Sequence, residues 1–200
     1  MQYQVVEMSV FEAILARRSV RRYTSQAVDS TTVRLLLEAA VHAPTAFHDE
    51  SWAFAVIQDQ SELCALSNCA KPLFLNELRR SGQSRSEHAL EAFADPDQNI
   101  FYDAGTLIVI CADAMTPFSV ADCWLAAENL MLAACAMGLG TCVIGSALPA
   151  LNVASIKAGF GIPEKFSAIA PIVVGYPVEE TMPTPRRQPY ILNHIPVEQQ

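Results

Sequence analysis

Apolar residues recur along this chain with two periods. Val33, Leu36, Leu37, Ala40 and Val41 fall at the i, i+3, i+4, i+7, i+8 spacing that lines one face of an α-helix, and Asp29 or Ser30 stands where an N-cap belongs. A shorter helix is predicted over about 9–16. WAFAVI (Trp52 to Ile57) and GTLIVIC (Gly105 to Cys111) are short apolar runs rich in β-branched residues and read as strands. Cys142 to Ile144 and Ala168 to Val174 are two more strand-like runs, each closed by glycine. The stretch from about Val120 to Met137 reads as a helix that is apolar nearly all round after Asp122. Such a helix must be buried on most sides, inside the domain or against a second subunit. Helices alternating with about four or five strands predict a mixed α/β or α+β sheet with helices packed on it, as one domain over residues 1–200.

Two segments fall outside this pattern. Residues 60–96 are more polar, carry Gly82, Ser84 and Ser86, and are expected to form an excursion or lid. After Gly175, Pro177, Pro183, Pro185, Pro189 and Pro196 exclude a helix or central strand and predict an extended arm over about 176–200. An arm with so little core of its own either frays or lies on another surface, a partner subunit's included. No residue from Asn129 to Ile156 is charged, so a membrane span has to be weighed. Gly138, Gly140, Gly145, Pro149 and Asn152 break the run into a helix, a short strand and a turn, and no basic cluster flanks it. A buried soluble core is the better reading.

Of the 200 residues, 52% are hydrophobic and 17% charged, enough apolar material for a sizeable core. Thirteen Lys and Arg against 21 Asp and Glu leave a net charge of −8, which disfavours nucleic acid and anionic membrane as partners. The start of the chain has no basic segment followed by an uninterrupted apolar stretch, so a cytoplasmic location with reduced thiols is expected. The six cysteines contain no C-x-x-C pair and read as small buried hydrophobes. His42, His48, His88 and His194 show no ligand spacing, and His48-Asp49-Glu50 lacks a downstream P-C-x-x-C, so no metal site is expected.

Three segments are candidates for chemistry. Arg17, Arg18, Arg21 and Arg22 place four cations within six residues of an acidic chain, with Ser19 among them. Guanidinium forks and a hydroxyl at the end of a short helix suit a phosphate, although a solvated basic turn has the same composition. The loop Ala43-Pro44-Thr45-Ala46-Phe47-His48-Asp49-Glu50-Ser51 lies between a helix and a strand, where ligand contacts often sit. His48 and Glu50 alternate there and can face one heterocycle. In Gly138-Leu139-Gly140-Thr141-Cys142-Val143-Ile144-Gly145-Ser146, glycines let backbone amides approach a flat ligand. The G-x-G there follows a helix and opens a strand, the reverse of the dinucleotide fingerprint, and neither G-x-x-x-x-G-K-[ST] nor G-x-S-x-G is present.

Taken in order, ARRSVRRY (Ala16 to Tyr23), APTAFHDESWAF (Ala43 to Phe54), AAENLMLAACAMGLGTCVIG (Ala126 to Gly145), VVGYP (Val173 to Pro177) and PRRQP (Pro185 to Pro189) resemble the nitroreductase family of FMN-dependent oxidoreductases. The resemblance implies an α+β fold with a central mixed, mostly antiparallel sheet flanked by helices. It also implies a homodimer that exchanges extended C-terminal arms and holds an FMN at each of two subunit interfaces. On that resemblance Arg17, Ser19 and Arg21, with Arg18 alongside, hold the phosphate and the pyrimidine edge. Pro44, Thr45, Ala46 and His48 match the loop beside the ring and ribityl chain. Val143, Ile144 and Gly145 match the strand end whose backbone N–H approaches flavin N5, and Arg186 and Arg187 match a late basic pair that reaches the phosphate.

The implied activity moves electrons from NADH or NADPH through flavin N5 to a small aromatic acceptor, nitroaromatic or quinone-like, in a ping-pong cycle with no catalytic side chain. Phe47, Phe101 and Tyr102 are candidate stacking partners for the substrate, and Glu50 is a candidate substrate or tuning residue. The chain departs from the commoner loop A-P-S-x-x-N-x-Q-P-W at Thr45, His48, Glu50 and Ser51. Reductive dehalogenation, cleavage of the flavin itself, and a non-enzymatic FMN-binding redox sensor or store remain alternatives.

Overall fold

The computed structural model describes residues 8–81, 93, 95 and 98–193. Strands β1 (Trp52–Ile57), β2 (Thr106–Ala112), β3 (Gly140–Val143) and β4 (Ser167–Gly175) form one sheet in the order β1-β2-β4-β3. All three pairings are antiparallel, so the expected mixed sheet is antiparallel throughout these ladders. Every residue of β2 is buried because strands cover both its edges and helices both its faces. Alternation along β2 divides the core. Leu107, Val109 and Cys111 face one layer, with Leu63, Leu66 and Ala70. Ile108, Ile110 and Ala112 face the other, with Leu36, Ala40, Ala126 and Leu130.

Helix α1 (Val10–Ala16) starts from a capping box between Ser9 and Glu12. It buries only Ala13, while Val10, Phe11, Ile14 and Leu15 are exposed. Helix α2 (Ser30–Val41) is capped by Asp29, which accepts from the amides of Thr31 and Thr32 at 3.0 Å. Helix α3 (Gln60–Ser81) corrects the expected excursion over its own length, since Leu63, Leu66 and Ala70 pack into the core. The rest of the expected lid falls mostly outside the described residues, as do His88 and His194.

Helix α4 (Pro117–Ala136) begins at a Thr116–Ser119 capping box and lies across the sheet against α2. It is long and apolar enough to cross a membrane by length and composition. Its buried Ala126, Ala127, Leu130 and Ala134 instead fill the core, while Trp124 and Leu125 remain exposed. The uncharged run then breaks, as expected, into β3, a 3-10 turn at Gly145–Ala147 and the short helix α5 (Leu148–Leu151). Helix α6 (Ala154–Gly159) leads to β4, with buried Lys157 donating to the carbonyls of Glu164 and Phe166 at 2.8 and 2.9 Å. From Val178 to Asn193 the chain is exposed and has no helix or strand.

Candidate functional site

The arginine segment is fixed to the start of β3. Val20 donates to the Thr141 carbonyl at 2.9 Å, and Ser19 forms a parallel bridge with Thr141. Gly140 permits this approach, because a Cβ there would lie 2.8 Å from Val20 Cγ2. Two segments more than 100 residues apart in sequence therefore share one edge of the sheet.

The four guanidiniums are not equivalent. Arg22 Nη1 pairs with Glu179 Oε1 at 2.7 Å. Arg18 Nη1 donates to the carbonyls of Leu15 and Arg17 at 2.6 and 2.8 Å, capping the end of α1. Arg17 Nε lies 3.3 Å from Glu128 Oε1 without hydrogen-bond alignment, and its Nε and that of Arg18 are buried without a hydrogen-bond partner. Arg21 is exposed and makes one long contact to the Ser19 carbonyl, at 3.4 Å. Arg17 and Arg18 line a groove of about 700 Å³ with Cys135, Gly138, Gly140 and Thr141.

At the far end of β3, Val143, Ile144, Gly145 and Ser146 border a cavity of about 320 Å³ together with Tyr102, Gln98 and Phe74. The amides of Gly145 and Ser146 open a 3-10 turn, where the first N–H groups have no intrahelical acceptor. A Cβ built on Gly145 meets nothing within 4 Å, so the backbone there faces open space. Tyr102 has a φ of 55°, a strained conformation for a bulky residue. Phe101 is corrected: it is fully buried in the core and packs the fold, leaving no face for a ligand.

The third segment lies at the opposite edge, before β1. Thr45 precedes the 3-10 turn Ala46–His48, and Phe47, His48 and Glu50 have φ of 57°, 58° and 45°. Three left-handed non-glycine residues within four positions mark a loop held by its surroundings. Phe47 meets Phe118 edge-on, with ring centroids 5.6 Å apart. Ala46, Phe47, Asp49, Ser51, Phe118 and Asp122 contribute to a cavity of about 500 Å³. Pro44, His48 and Glu50 are exposed beside it, and Arg186 and Arg187 are exposed on the arm.

Ser146 closes the third candidate segment, whereas Phe74 and Gln98 in the cavity beside β3 and Asp122 under the loop lie outside the candidates that the sequence motifs mark. Among the described residues no cluster of His, Cys, Asp or Glu can hold a metal ion. The thiols beside the arginines are poor nucleophiles. Burial holds Cys135 and Cys142 above the ordinary thiol range, against the opposing pull of Arg17 and Arg18 on the first and of Arg21 on the second.

A model of the nitroreductase family matches residues 14–176. An FMN reductase [NAD(P)H] of Bacillus subtilis is 25% identical over 193 residues, covering 92% of this chain and 72% of that protein. A nitroreductase from Bacteroides fragilis, solved with bound FMN, superposes with a TM-score of 0.77 at 26% identity, covering 94% of this chain and 98% of that one. Iodotyrosine deiodinase bound to FMN and 3-iodo-L-tyrosine shares the fold at 18% identity and a TM-score of 0.74, covering 94% of this chain and all (100%) of that one.

Proposed function

Because this chain belongs to the nitroreductase family, we propose that it is an FMN-dependent NAD(P)H oxidoreductase acting on small aromatic acceptors, nitroaromatic or quinone-like. The observation that carries the reading is the pairing of the arginine segment with β3, which gives one sheet edge both a cationic cluster and the open Gly145 turn. The residues present fit FMN. Two buried guanidinium nitrogens without hydrogen-bond partners and the exposed Arg21 suit an anionic tail and an electron-rich pyrimidine edge. Amides at the start of a 3-10 turn, with no side chain over Gly145, suit the edge of a flat ring.

FMN, when bound, supplies two-electron chemistry, taking electrons from NADH or NADPH and passing them to the acceptor in alternate half-reactions. The chain's own part is binding and electrostatics. Arg17, Ser19 and Arg21 would hold the cofactor, with Arg18 fixing the end of α1 and Arg186 or Arg187 added from the arm. The Gly145 amide would orient the ring, and Arg21 would offset negative charge at its pyrimidine edge.

Strand order supports a site shared by two copies. β1 and β3 are opposite edges of the sheet, three strand spacings or about 14 Å apart, which sets one chain's 44–50 loop on the far side of the sheet from its own β3. A second copy supplies that loop, and the exposed apolar residues of α1 and the arm offer surface for it. The likeness to iodotyrosine deiodinase is one of fold and does not favour dehalogenation over this reading.

Purified protein should be yellow, or become so with added FMN, elute as a dimer, and bleach on anaerobic addition of NADH or NADPH. A folded preparation that stays colourless and leaves added FMN fluorescent would refute the proposal.

A further inference from the structure

We propose that Asp122 is a positioning residue for the flavin reaction, holding the 45–50 loop through the amide of Ala46. This role rests on the preceding reading, in which that loop borders the cofactor. Asp122 lies on α4 and is only 4% exposed. Its Oδ1 and Oδ2 both accept from the Ala46 N–H, at 3.1 and 3.2 Å. Among the described residues it forms no ion pair. A carboxylate is costly to bury, and the protein partner of this one is the Ala46 amide at the border of the cavity beside the loop.

The bond has a geometric consequence. Immediately after Ala46 the backbone turns left-handed at Phe47 and His48, and again at Glu50. Such conformations persist only where the surroundings over-determine them. Three contacts do so. Asp122 fixes Ala46, Phe118 packs edge-on against Phe47, and the amide of Asp113 bonds the Ser51 carbonyl at 3.0 Å. Phe118 and Asp122 both belong to α4, so the rigid core helix sets the direction in which Phe47 and His48 project. Asp122 holds the N–H of Ala46, the residue that enters the left-handed turn, while the Asp49 amide donates to the Ala46 carbonyl at 3.2 Å from within the loop.

The test uses full-length protein and FMN, read by quenching of flavin fluorescence and by visible circular dichroism of the bound ring. Asp122→Ala should weaken FMN binding about tenfold or more and alter the dichroism, while Asp122→Asn, which keeps an acceptor oxygen, should recover binding to within about threefold. Ala46→Pro removes the donor and leaves the carboxylate. Thr45 already has φ −125° and ψ 146°, the extended conformation a residue before proline prefers. It should reproduce the Asp122→Ala loss, and the double variant should be no worse than either single one. Ala46→Pro also carries the test if Asp122→Ala does not fold.

Wild-type affinity and dichroism in folded Asp122→Ala or in Ala46→Pro would overturn the role of Asp122 alone. So would an Asp122→Asn variant as weak as the alanine. Wild-type protein that takes up no FMN would overturn the underlying reading and this role with it.

Discussion

Gly140→Ala tests the contact on which the cationic edge depends. The new Cβ would lie 2.8, 2.9 and 3.0 Å from Val20 Cγ2, Cβ and Cγ1. Ordinary carbon contacts begin near about 3.5 Å, so each atom must retreat by roughly 0.5 to 0.7 Å. Rotation of Val20 gives no escape, because its Cβ is struck as well and a β-branched side chain is stiff. The backbone must move, and with it the 2.9 Å bond from Val20 N to Thr141 O. Overpacking of this kind costs about 1 to 3 kcal/mol. Ser19 and Arg21 flank Val20, so FMN affinity should fall about tenfold alongside stability.

The control is Val20→Ala, which removes two methyl groups and costs about 1.6 kcal/mol of burial on its own. It also removes both γ atoms of the clash, leaving the single 2.9 Å approach to Cβ. The double variant should therefore be more stable than the sum of the singles by at least about 1 kcal/mol in urea unfolding, and should regain part of the FMN affinity. Strict additivity would refute the steric argument. An unchanged FMN dissociation constant in Gly140→Ala would refute the link from that contact to the arginines.

Two further outcomes separate cofactor binding from folding. Gly145→Ala adds a methyl group to open space at an unstrained φ, so its melting temperature should match wild type within about 2 °C while FMN affinity drops at least fivefold, as titration would show. Burial pushes Cys111 up to about 11 and Cys123 up to about 12, from an ordinary 9.0. A folded-state value raised above the unfolded one gives stability that is present below pH 9 and lost as pH rises toward 11 and 12, by up to about 1.4 kcal/mol per pH unit for each thiol. Cys123→Ala should flatten that alkaline slope in denaturant titrations at pH 9 to 11, and a slope unchanged by the substitution would contradict the assignment.

Much of the scaffold is legible in local pattern. The apolar run WAFAVI coincides with β1, and the spacing of Val33, Leu36 and Ala40 marks the buried face of α2 with Asp29 as its cap. β3 begins two residues earlier than its apolar run because Gly140 pairs with Gly175, a partner that no local window contains. α3 was hidden by its polar residues and by Pro72, although Leu63, Leu66 and Ala70 carry a helical spacing. Phe101 is a stacking candidate as an aromatic beside the motifs, yet the turn it shares with Tyr102 buries the Phe101 ring and lines a cavity with Tyr102. The resemblance brought together motifs whose residues alone suited several ligands. It did not bring out Asp122, whose charge read simply as the edge of an apolar helix.

The strand order ties cofactor and assembly together. On the proposed reading, a chain whose arginine edge and loop edge are opposite sides of one sheet would complete its flavin site by pairing, and FMN bound across two copies would stabilise the pair by mass action. The apolar residues α1 leaves outside, Val10, Phe11, Ile14 and Leu15, are surface that such a pairing would cover. On the proposed reading the strained 45–50 loop, held by its own chain's α4, would serve the other chain's flavin, with its anchor Asp122 buried on the core helix.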